Sequence, residues 1–228
     1  MESLKRGADI IVNTDADNQY KGEDIYKLIT PILEGRSQIV IGERPIIDNP
    51  DFSLTKKILQ KLGSWVVRIL SGTNVPDAPS GFRAYSREAA LRLNVFSKYT
   101  YTLETLIQAG RNGIPIESVK IRTNPKTRES RLFKSVFQYI YRSVATLFRL
   151  FAVYSPFCFF CMIGVSFLLG AFLYCWIFNT PPVIFVFSTI LAEVLIVSIA
   201  FLAVTISHNR RLEEDILYHI KKNEIENQ

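Results

Sequence analysis

Two aspartates one residue apart, Asp15 and Asp17, are the side chains of this sequence best suited to bind a metal ion. They follow residues 8–12, a short apolar and β-branched run that predicts a buried strand. Open α/β sheets bind their ligands at the C-terminal ends of such strands. Carboxylate oxygens suit Mg²⁺ or Mn²⁺, which usually complete their coordination with substrate phosphates and water, and Gln19 could add a neutral oxygen. The same pattern is common in turns and helix N-caps, and both interpretations stay open here.

Two further residues lie where a phosphate-bearing substrate could be bound. Residues 38–42 predict a second strand, and the helical pattern before it predicts a β-α-β unit whose two strands are parallel and adjacent. This unit brings Arg44 to the sheet edge that holds Asp15, and a cation there suits a diphosphate or an acceptor phosphate. Asp77 begins a loop rich in Pro and Gly and could act as a general base on an acceptor oxygen. A solvated Arg44 and a turn-forming Asp77 are the alternatives.

The elements that position these residues alternate between strand and helix. Glycines and hydrophobic periodicity predict helices at 23–34, 52–70, 86–93 and 102–110, and a further strand at 114–121. The loop from Val75 runs into another short strand. This alternation predicts an α/β domain over residues 1–134. Its last part, residues 122–134, contains five basic side chains around a Pro; it could bind phosphate or anionic headgroups, or simply be a solvated loop.

The C-terminal part of the chain is apolar. Residues 150–192 contain no Asp, Glu, Lys or Arg, and they predict two membrane spans within 153–207, each near the ~20 residues that a bilayer core requires. An amphipathic, aromatic helix at 135–152 is typical of a membrane interface, and a polar tail follows at 208–228. Arginines precede and follow the pair of spans, which predicts that both termini and the α/β domain are cytoplasmic.

Charge and one acidic residue add to the membrane interpretation. The net charge of +6 is clustered, which favours a membrane-facing protein and argues against a nucleic-acid partner. Glu193 lies within the second span. A carboxylate at that depth is either a functional residue or is hydrogen-bonded to the neighbouring helix, and the sequence leaves both open.

Four motifs, taken together and in this order, resemble one family of enzymes. They are Asp15–Gln19, Gly42–Arg44, Asp77–Arg83 and Arg128–Leu132. The family is that of the family-2 glycosyltransferases that make polyprenyl-phosphate sugars, the group similar to dolichol-phosphate mannose synthase. The resemblance implies a partial GT-A (Rossmann-like) domain, followed by the interfacial helix and the two-helix transmembrane hairpin. It also implies metal-dependent, inverting transfer of a single hexose from a nucleotide sugar to a polyprenyl phosphate.

The resemblance assigns roles to the candidate residues. The divalent metal, Mg²⁺ or Mn²⁺, would be held by Asp15, Asp17 and Gln19. Arg44 would contact the acceptor phosphate, and Asp77 would lie at the reaction centre. These roles fit the chemistry, because an acceptor phosphate is already anionic and needs positioning more than deprotonation.

Other residues belong to the same site by resemblance. The basic loop would close over the pyrophosphate through Arg128, Ser130 and Arg131. The acceptor side would be walled by Ser80, Arg83 and Glu104. The partners implied are the nucleotide sugar, the polyprenyl phosphate and the membrane. Whether the chain acts alone or as a homo-oligomer is left open.

The sequence departs from the family at its start. Family members begin with a strand and an Asn-Glu-Glu-type loop that hold the nucleotide base, whereas this chain opens on what resembles the end of a helix at Gly7. We therefore expect one β-α-β unit to be missing. The alternative function is a truncated or degenerate, non-catalytic membrane partner of a glycosyltransferase. The identity of the sugar and the nucleotide stays open.

Overall fold

The computed structural model describes residues 2–15, 18–45, 54–95, 101–124, 136–178 and 183–227. The chain divides into two units, one of Met1–Leu147 with Glu214–Gln228 and the other of Phe148–Glu213. The first is built on a mixed sheet with helices, and the second consists of largely apolar helices. The predicted α/β class is therefore confirmed for the first unit, and the predicted pair of apolar C-terminal helices for the second.

The sheet of the first unit has four strands within the described residues, in the order β1-β3-β2-β4. Their bounds are Ile10–Asn13 for β1, Ile39–Glu43 for β2, Arg83–Ser86 for β3 and Ile116–Lys120 for β4. β3 is antiparallel to both β1 and β2, and β4 is parallel to β2.

The prediction that β1 and β2 are adjacent is wrong, because β3 lies between them. Ala84 of β3 pairs with Val12 on one side and with Val40 on the other. A β-α-β pattern indicates the direction of two strands but does not prevent a later strand from entering between them. Since β1 and β2 are both antiparallel to β3, they run in the same direction and their C-terminal ends share one edge. β3 begins at that edge, where Arg83 is opposite Asn13.

The α-helices between residues 2 and 111 follow the predicted pattern. They are α1 at Glu2–Lys5, α2 at Ile25–Leu33, α3 at Leu54–Ser71, α4 at Arg87–Arg92 and α5 at Tyr101–Arg111. Ser86 caps α4, because its hydroxyl accepts a hydrogen bond from the amide of Ala89 at 3.1 Å. Gly72 follows α3 with φ at +68°, a backbone conformation that glycine adopts without strain.

The core of this unit lies between α2 and the sheet. It is formed by Tyr20, Leu28, Val40, Phe82, Ala84 and Ile121. The rings of Tyr20 and Phe82 stack with their centroids 5.0 Å apart, a contact worth about 1 kcal/mol beyond the area it buries. This stack joins the segment that follows Asp15 to the end of the loop that carries Asp77.

Three helices make up the rest of the described chain. They are α6 at Val136–Tyr154, α7 at Pro156–Phe178 and α8 at Val183–Glu226. Pro156–Ile177 and Phe187–Glu226 are long and apolar enough to cross a membrane. α8 continues through the predicted polar tail, because residues 207–226 contain no Pro or Gly that would end it. The turn at 179–182 lies outside the described residues, and the interfacial position of α6 stays a prediction.

Glu193 of α8 lies against Gly164 of α7 within the second unit. Its Oε2 atom is 2.9 Å from the point that a Cβ at position 164 would occupy. Its Oε1 atom is buried without a hydrogen-bond partner in the described part of the chain. The small residue on α7 therefore makes room for the carboxylate, and a functional role for Glu193 stays a prediction.

An ion pair between the buried Asp24 carboxylate and the half-exposed Arg122 fixes the start of α2 to the end of β4. The Asp24 carboxylate is fully buried and accepts hydrogen bonds from the Arg122 amide at 2.6 Å and from its guanidinium at 2.8 Å. Hydrogen bonds from Arg122 hold the pKa of Asp24 well below its ordinary value of 3.8, although burial opposes them. The pKa of Asp24 is lower in the folded protein than in the unfolded chain. The stabilisation is therefore fully present above the unfolded pKa and is lost as the pH falls from there toward the folded pKa.

We predict that Asp24→Asn lowers the free energy of unfolding at pH 7 by about 1–2 kcal/mol, since the hydrogen bonds to a charged acceptor are lost. The difference between variant and wild type shrinks as the pH falls from about 5 to about 2. Thermal unfolding of the full chain in detergent at several pH values measures this. Glu23→Gln is the matched control, because Glu23 contacts the same Arg122 but is exposed, and it should change little. An equal loss at pH 7 and pH 3 for Asp24→Asn would contradict the ion-pair account.

Candidate active site

The C-terminal ends of β1 and β2 and the loop before β3 form the site. Asn13, the last residue of β1, donates a hydrogen bond from its side-chain amide to the Gly81 carbonyl at 3.0 Å. Tyr20 accepts one from the Gly81 amide at its hydroxyl, at 3.1 Å. Burial raises the pKa of the Tyr20 hydroxyl, an effect that the charge of Arg44 opposes. These two bonds fix residues 77–82 against the strand ends, on which the geometry of the site depends.

Arg44 and Asp77 form a buried, two-pronged ion pair at the centre of the site. Arg44 Nε donates to Asp77 Oδ2 at 2.7 Å and Nη2 donates to Oδ1 at 2.9 Å. The Arg44 amide also donates to Oδ2 at 3.2 Å. The side chains are 9% and 1% exposed. Burial alone would lower the pKa of Arg44, but the hydrogen bonds and charge of Asp77 raise it above its ordinary value, so the guanidinium is charged. Arg44 is therefore not the solvated strand-end residue of the alternative interpretation.

The candidate metal ligands lie beside this pair. Arg44 Nη1 is 3.5 Å from Gln19 Oε1, the limit of a hydrogen bond. The Asp15 carboxylate lies directly over Gly81, so that a Cβ at position 81 would overlap it. Gly81 is therefore required by the close approach of Asp15. Asp17 lies outside the described residues.

The donor set fits a hard divalent cation. Asp15 and Gln19 offer only oxygen atoms, which Mg²⁺ and Mn²⁺ prefer. Within the described residues no group of three or more His, Cys, Asp or Glu side chains could hold a metal. The coordination would therefore need Asp17 and substrate oxygens, as is usual for a metal that binds through one or two carboxylates.

The basic segment begins next to Gln19. The Asn124 amide donates to the Gln19 carbonyl at 2.8 Å, and its side-chain amide donates to the Asn18 carbonyl at 3.0 Å. A bridge between Tyr20 and Thr123 adds to this contact. The predicted phosphate-binding residues Arg128, Ser130 and Arg131 lie outside the described residues. The segment that leads to them nevertheless starts at the candidate metal ligands.

The predicted acceptor wall lies behind the loop. Arg83 is fully buried, and its guanidinium donates to the carbonyls of Ser80 at 2.7 Å, Ala78 at 2.5 Å and Thr102 at 2.7 Å. Its donors are thus directed at backbone carbonyls and at the Thr105 hydroxyl, and Arg83 supports the loop from within the protein. Ser80 is fully buried, and Glu104 is 7% exposed in the first turn of α5. None of the three side chains forms an exposed wall in this structure.

A groove opens beside Arg44 and Asp77. Its volume is about 840 Å³. Apolar side chains from α3 line it, namely Ile58, Leu62 and Trp65, and they are exposed. Cationic side chains line it as well, namely Lys61, Arg68 and Lys120. The sequence analysis missed this groove, together with Asn13 and Tyr20; the spacing of Ile58, Leu62 and Trp65 on one face of an amphipathic helix was the available signal.

Comparison with known proteins places this site in a family. Residues 6–93 match the family described as Glycosyl transferase family 2. These residues are therefore similar to a glycosyl transferase family 2 domain. The resemblance to family-2 glycosyltransferases that the four motifs indicated is thereby confirmed at the level of the family.

Two similar proteins act on lipid phosphates, according to their names. The chain is 39% identical over 132 residues to the UDP-N-acetylglucosamine–dolichyl-phosphate N-acetylglucosaminyltransferase of Methanococcus voltae, over 54% of this chain and 51% of that one. It is 27% identical to the undecaprenyl-phosphate mannosyltransferase of Micrococcus luteus, over 52% of this chain and 50% of that one. The chain spans about half the length of the curated relatives it matches.

A similar solved structure is that of glucosyl-3-phosphoglycerate synthase from Mycobacterium tuberculosis. It is 19% identical, with a TM-score of 0.48, over 66% of this chain and 53% of that one.

We predict that Gly81→Ala weakens Mn²⁺ binding by roughly 10- to 100-fold, the usual effect of mutating a residue that positions a metal ligand. The new Cβ would overlap the Asp15 carboxylate and displace it. Titration of the purified full chain with Mn²⁺, followed by electron paramagnetic resonance, measures the affinity. Gly63→Ala is the control, because a Cβ there meets no atom within 4 Å. Wild-type affinity in Gly81→Ala would show that Asp15 is not a ligand.

Proposed function

We propose that this protein transfers a single hexose from a nucleotide sugar to a polyprenyl phosphate at the cytoplasmic face of a membrane. The observation that carries the proposal is the Arg44–Asp77 pair, held beside Asp15 and Gln19 within a glycosyl transferase family 2 domain. The two relatives named for dolichyl-phosphate and undecaprenyl-phosphate transfer support the acceptor class.

The groove beside the pair suits such an acceptor. A polyprenyl phosphate combines a long apolar chain with an anionic head. The apolar face of α3 offers contact for the chain through Ile58, Leu62 and Trp65, and Lys61 and Arg68 add positive charge. Arg44 at the inner end of the groove would then meet the phosphate.

Arg44 would position the acceptor and Asp77 would position Arg44. Asp77 accepts hydrogen bonds from Nε and Nη2, the two nitrogens along one edge of the guanidinium, and so fixes its plane and leaves Nη1 directed toward Gln19. A phosphate acceptor is ionised at neutral pH, and its oxygen can attack the anomeric carbon without a general base. The bond to the nucleotide diphosphate breaks as the new bond forms, which inverts the configuration. Asp77 thus serves as an orienting group in this proposal, whereas the sequence analysis suggested a base.

The donor would be held on the other side of Arg44. Asp15, Asp17 and Gln19 would hold a divalent cation, which when bound neutralises charge on a departing diphosphate. The basic loop begins beside Gln19, and its Arg128, Ser130 and Arg131 would contact the pyrophosphate. The site would lie on the cytoplasmic side, because arginines precede the first apolar helix and follow the second, whereas the turn between the two helices has none.

A transfer assay tests the proposal. Membranes that contain the full chain are incubated with labelled UDP- and GDP-sugars and a polyprenyl phosphate, with Mn²⁺ or with a chelator. We expect a lipid-linked sugar with one class of donor, lost on chelation and absent when inorganic phosphate replaces the lipid. Arg44→Met should slow transfer by roughly 10²-fold, the usual effect of removing a hydrogen-bond donor that stabilises charge in the transition state.

Arg36→Met is the matched control, because Arg36 is exposed and pairs with Glu34 and Glu117 away from the site. It should leave the rate unchanged. Confirmed presence of the protein in the membrane with no product from any donor would contradict the proposal. That outcome would favour the non-catalytic membrane partner.

A further inference from the structure

The C-terminal end of α8, residues 214–226, belongs to the first unit and packs against its other helices. Within this segment the Lys221 ammonium donates hydrogen bonds to three acceptors. These are the Leu93 carbonyl at 2.9 Å, the Leu91 carbonyl at 3.4 Å and Asn94 Oδ1 at 2.6 Å. The last backbone carbonyls of a helix have no hydrogen-bond donor within the helix, and the Lys221 ammonium supplies one at the end of α4.

Further contacts fix the same segment. The Tyr218 hydroxyl donates to Glu88 at 2.9 Å, and the Arg92 guanidinium lies 4.6 Å from the centre of the Tyr218 ring. Lys5 and Glu224 form an ion pair at 2.5 Å. Residues 218–224 therefore contact α4 and α1 along about two helical turns.

The contact of Lys221 continues into α5 through Asn94. The Asn94 amide donates to Gln108 Oε1 at 3.0 Å, and Gln108 Nε2 donates back to the Asn94 carbonyl at 2.8 Å. Gln108 is 2% exposed, so these bonds have no competition from water and fix the backbone after α4 to α5.

From α5 the hydrogen bonds lead to the loop of the candidate active site. Arg83 donates to the Thr102 carbonyl at 2.7 Å and to Thr105 Oγ1 at 3.1 Å, both on α5. The same guanidinium donates to the carbonyls of Ala78 and Ser80. Ala78 is the neighbour of Asp77, so an unbroken path of hydrogen bonds and helix backbone joins Lys221 to the residue that orients Arg44.

We propose that Lys221 is a positioning residue for the candidate active site. By holding Asn94 it keeps α5 in the place from which Arg83 supports the loop of Asp77. The inference rests on the proposed function for its effect on catalysis, but the structural coupling can be tested without it. No motif of the sequence analysis assigned a role to this residue.

Hydrogen exchange of the purified full chain in detergent tests the coupling. In Lys221→Met, exchange of the Ala78, Ser80 and Gly81 amides should speed up by roughly threefold or more, the size of effect that a coupled residue has. These amides are hydrogen-bonded to Ser64, Asp77 and Tyr20. Lys222→Met is the matched control: it removes a neighbouring charge that also acts on Glu88, but the Lys222 side chain is 45% exposed and its ion-pair partner Glu226 lies on the same helix. Lys221→Arg should restore wild-type exchange.

A second variant and an activity measurement complete the test. Lys221→Gln keeps a neutral donor and should give a smaller effect in a stably folded chain. In the transfer assay, Lys221→Met should lower kcat and leave the KM for the nucleotide sugar unchanged. Faster exchange only at residues 88–94, with residues 78–81 unchanged, would overturn the inference. If no transfer is detected but residues 78–81 respond, the coupling stands and the proposed function fails.

Discussion

The candidate active site depends on the Arg44–Asp77 ion pair, whose burial carries a large unfavourable desolvation free energy. Removing a guanidinium and a carboxylate from water costs several kcal/mol for each ion, and good geometry with additional hydrogen bonds must offset this. Arg44 and Asp77 meet that condition through two parallel hydrogen bonds and a third from the Arg44 amide. The pair can form only if residues 77–82 are held against the end of β2. The Tyr20–Phe82 stack and the inward-facing Arg83 provide that support.

The same constraint explains the crowding around the loop. Holding the loop at the strand ends brings its backbone under the Asp15 carboxylate, where only glycine fits. It also leaves one edge of the Arg44 guanidinium directed toward Gln19. Oxygen atoms of a kind that divalent cations prefer thus lie beside a fixed guanidinium, an arrangement suited to joining two phosphate-bearing molecules. The groove lined by α3 opens beside the same pair.

Much of the fold could be predicted from local sequence patterns. Two features that the sequence did not predict, the neighbour of β1 and the burial of Arg83, both depend on contacts between distant segments. Strand ends and helix periods are encoded within a few residues, so the shared edge of Asp15 and Arg44 and the two apolar helices were predictable. The neighbour of β1 was not, because Ala84 fits between Val12 and Val40 only through contacts between distant segments. Arg83 was expected at a site wall; charged residues are rarely fully buried, and no local signal marks the exception.

A double-mutant cycle on the rate of sugar transfer to polyprenyl phosphate tests the central claim, that Asp77 acts through Arg44. It compares Arg44→Met, Asp77→Asn and the double variant with the wild type. If Asp77 only orients Arg44, the double variant should be no slower than Arg44→Met alone. If the two losses multiply, Asp77 contributes independently of Arg44, as a general base would, and the account of the pair as one acceptor-positioning unit is wrong.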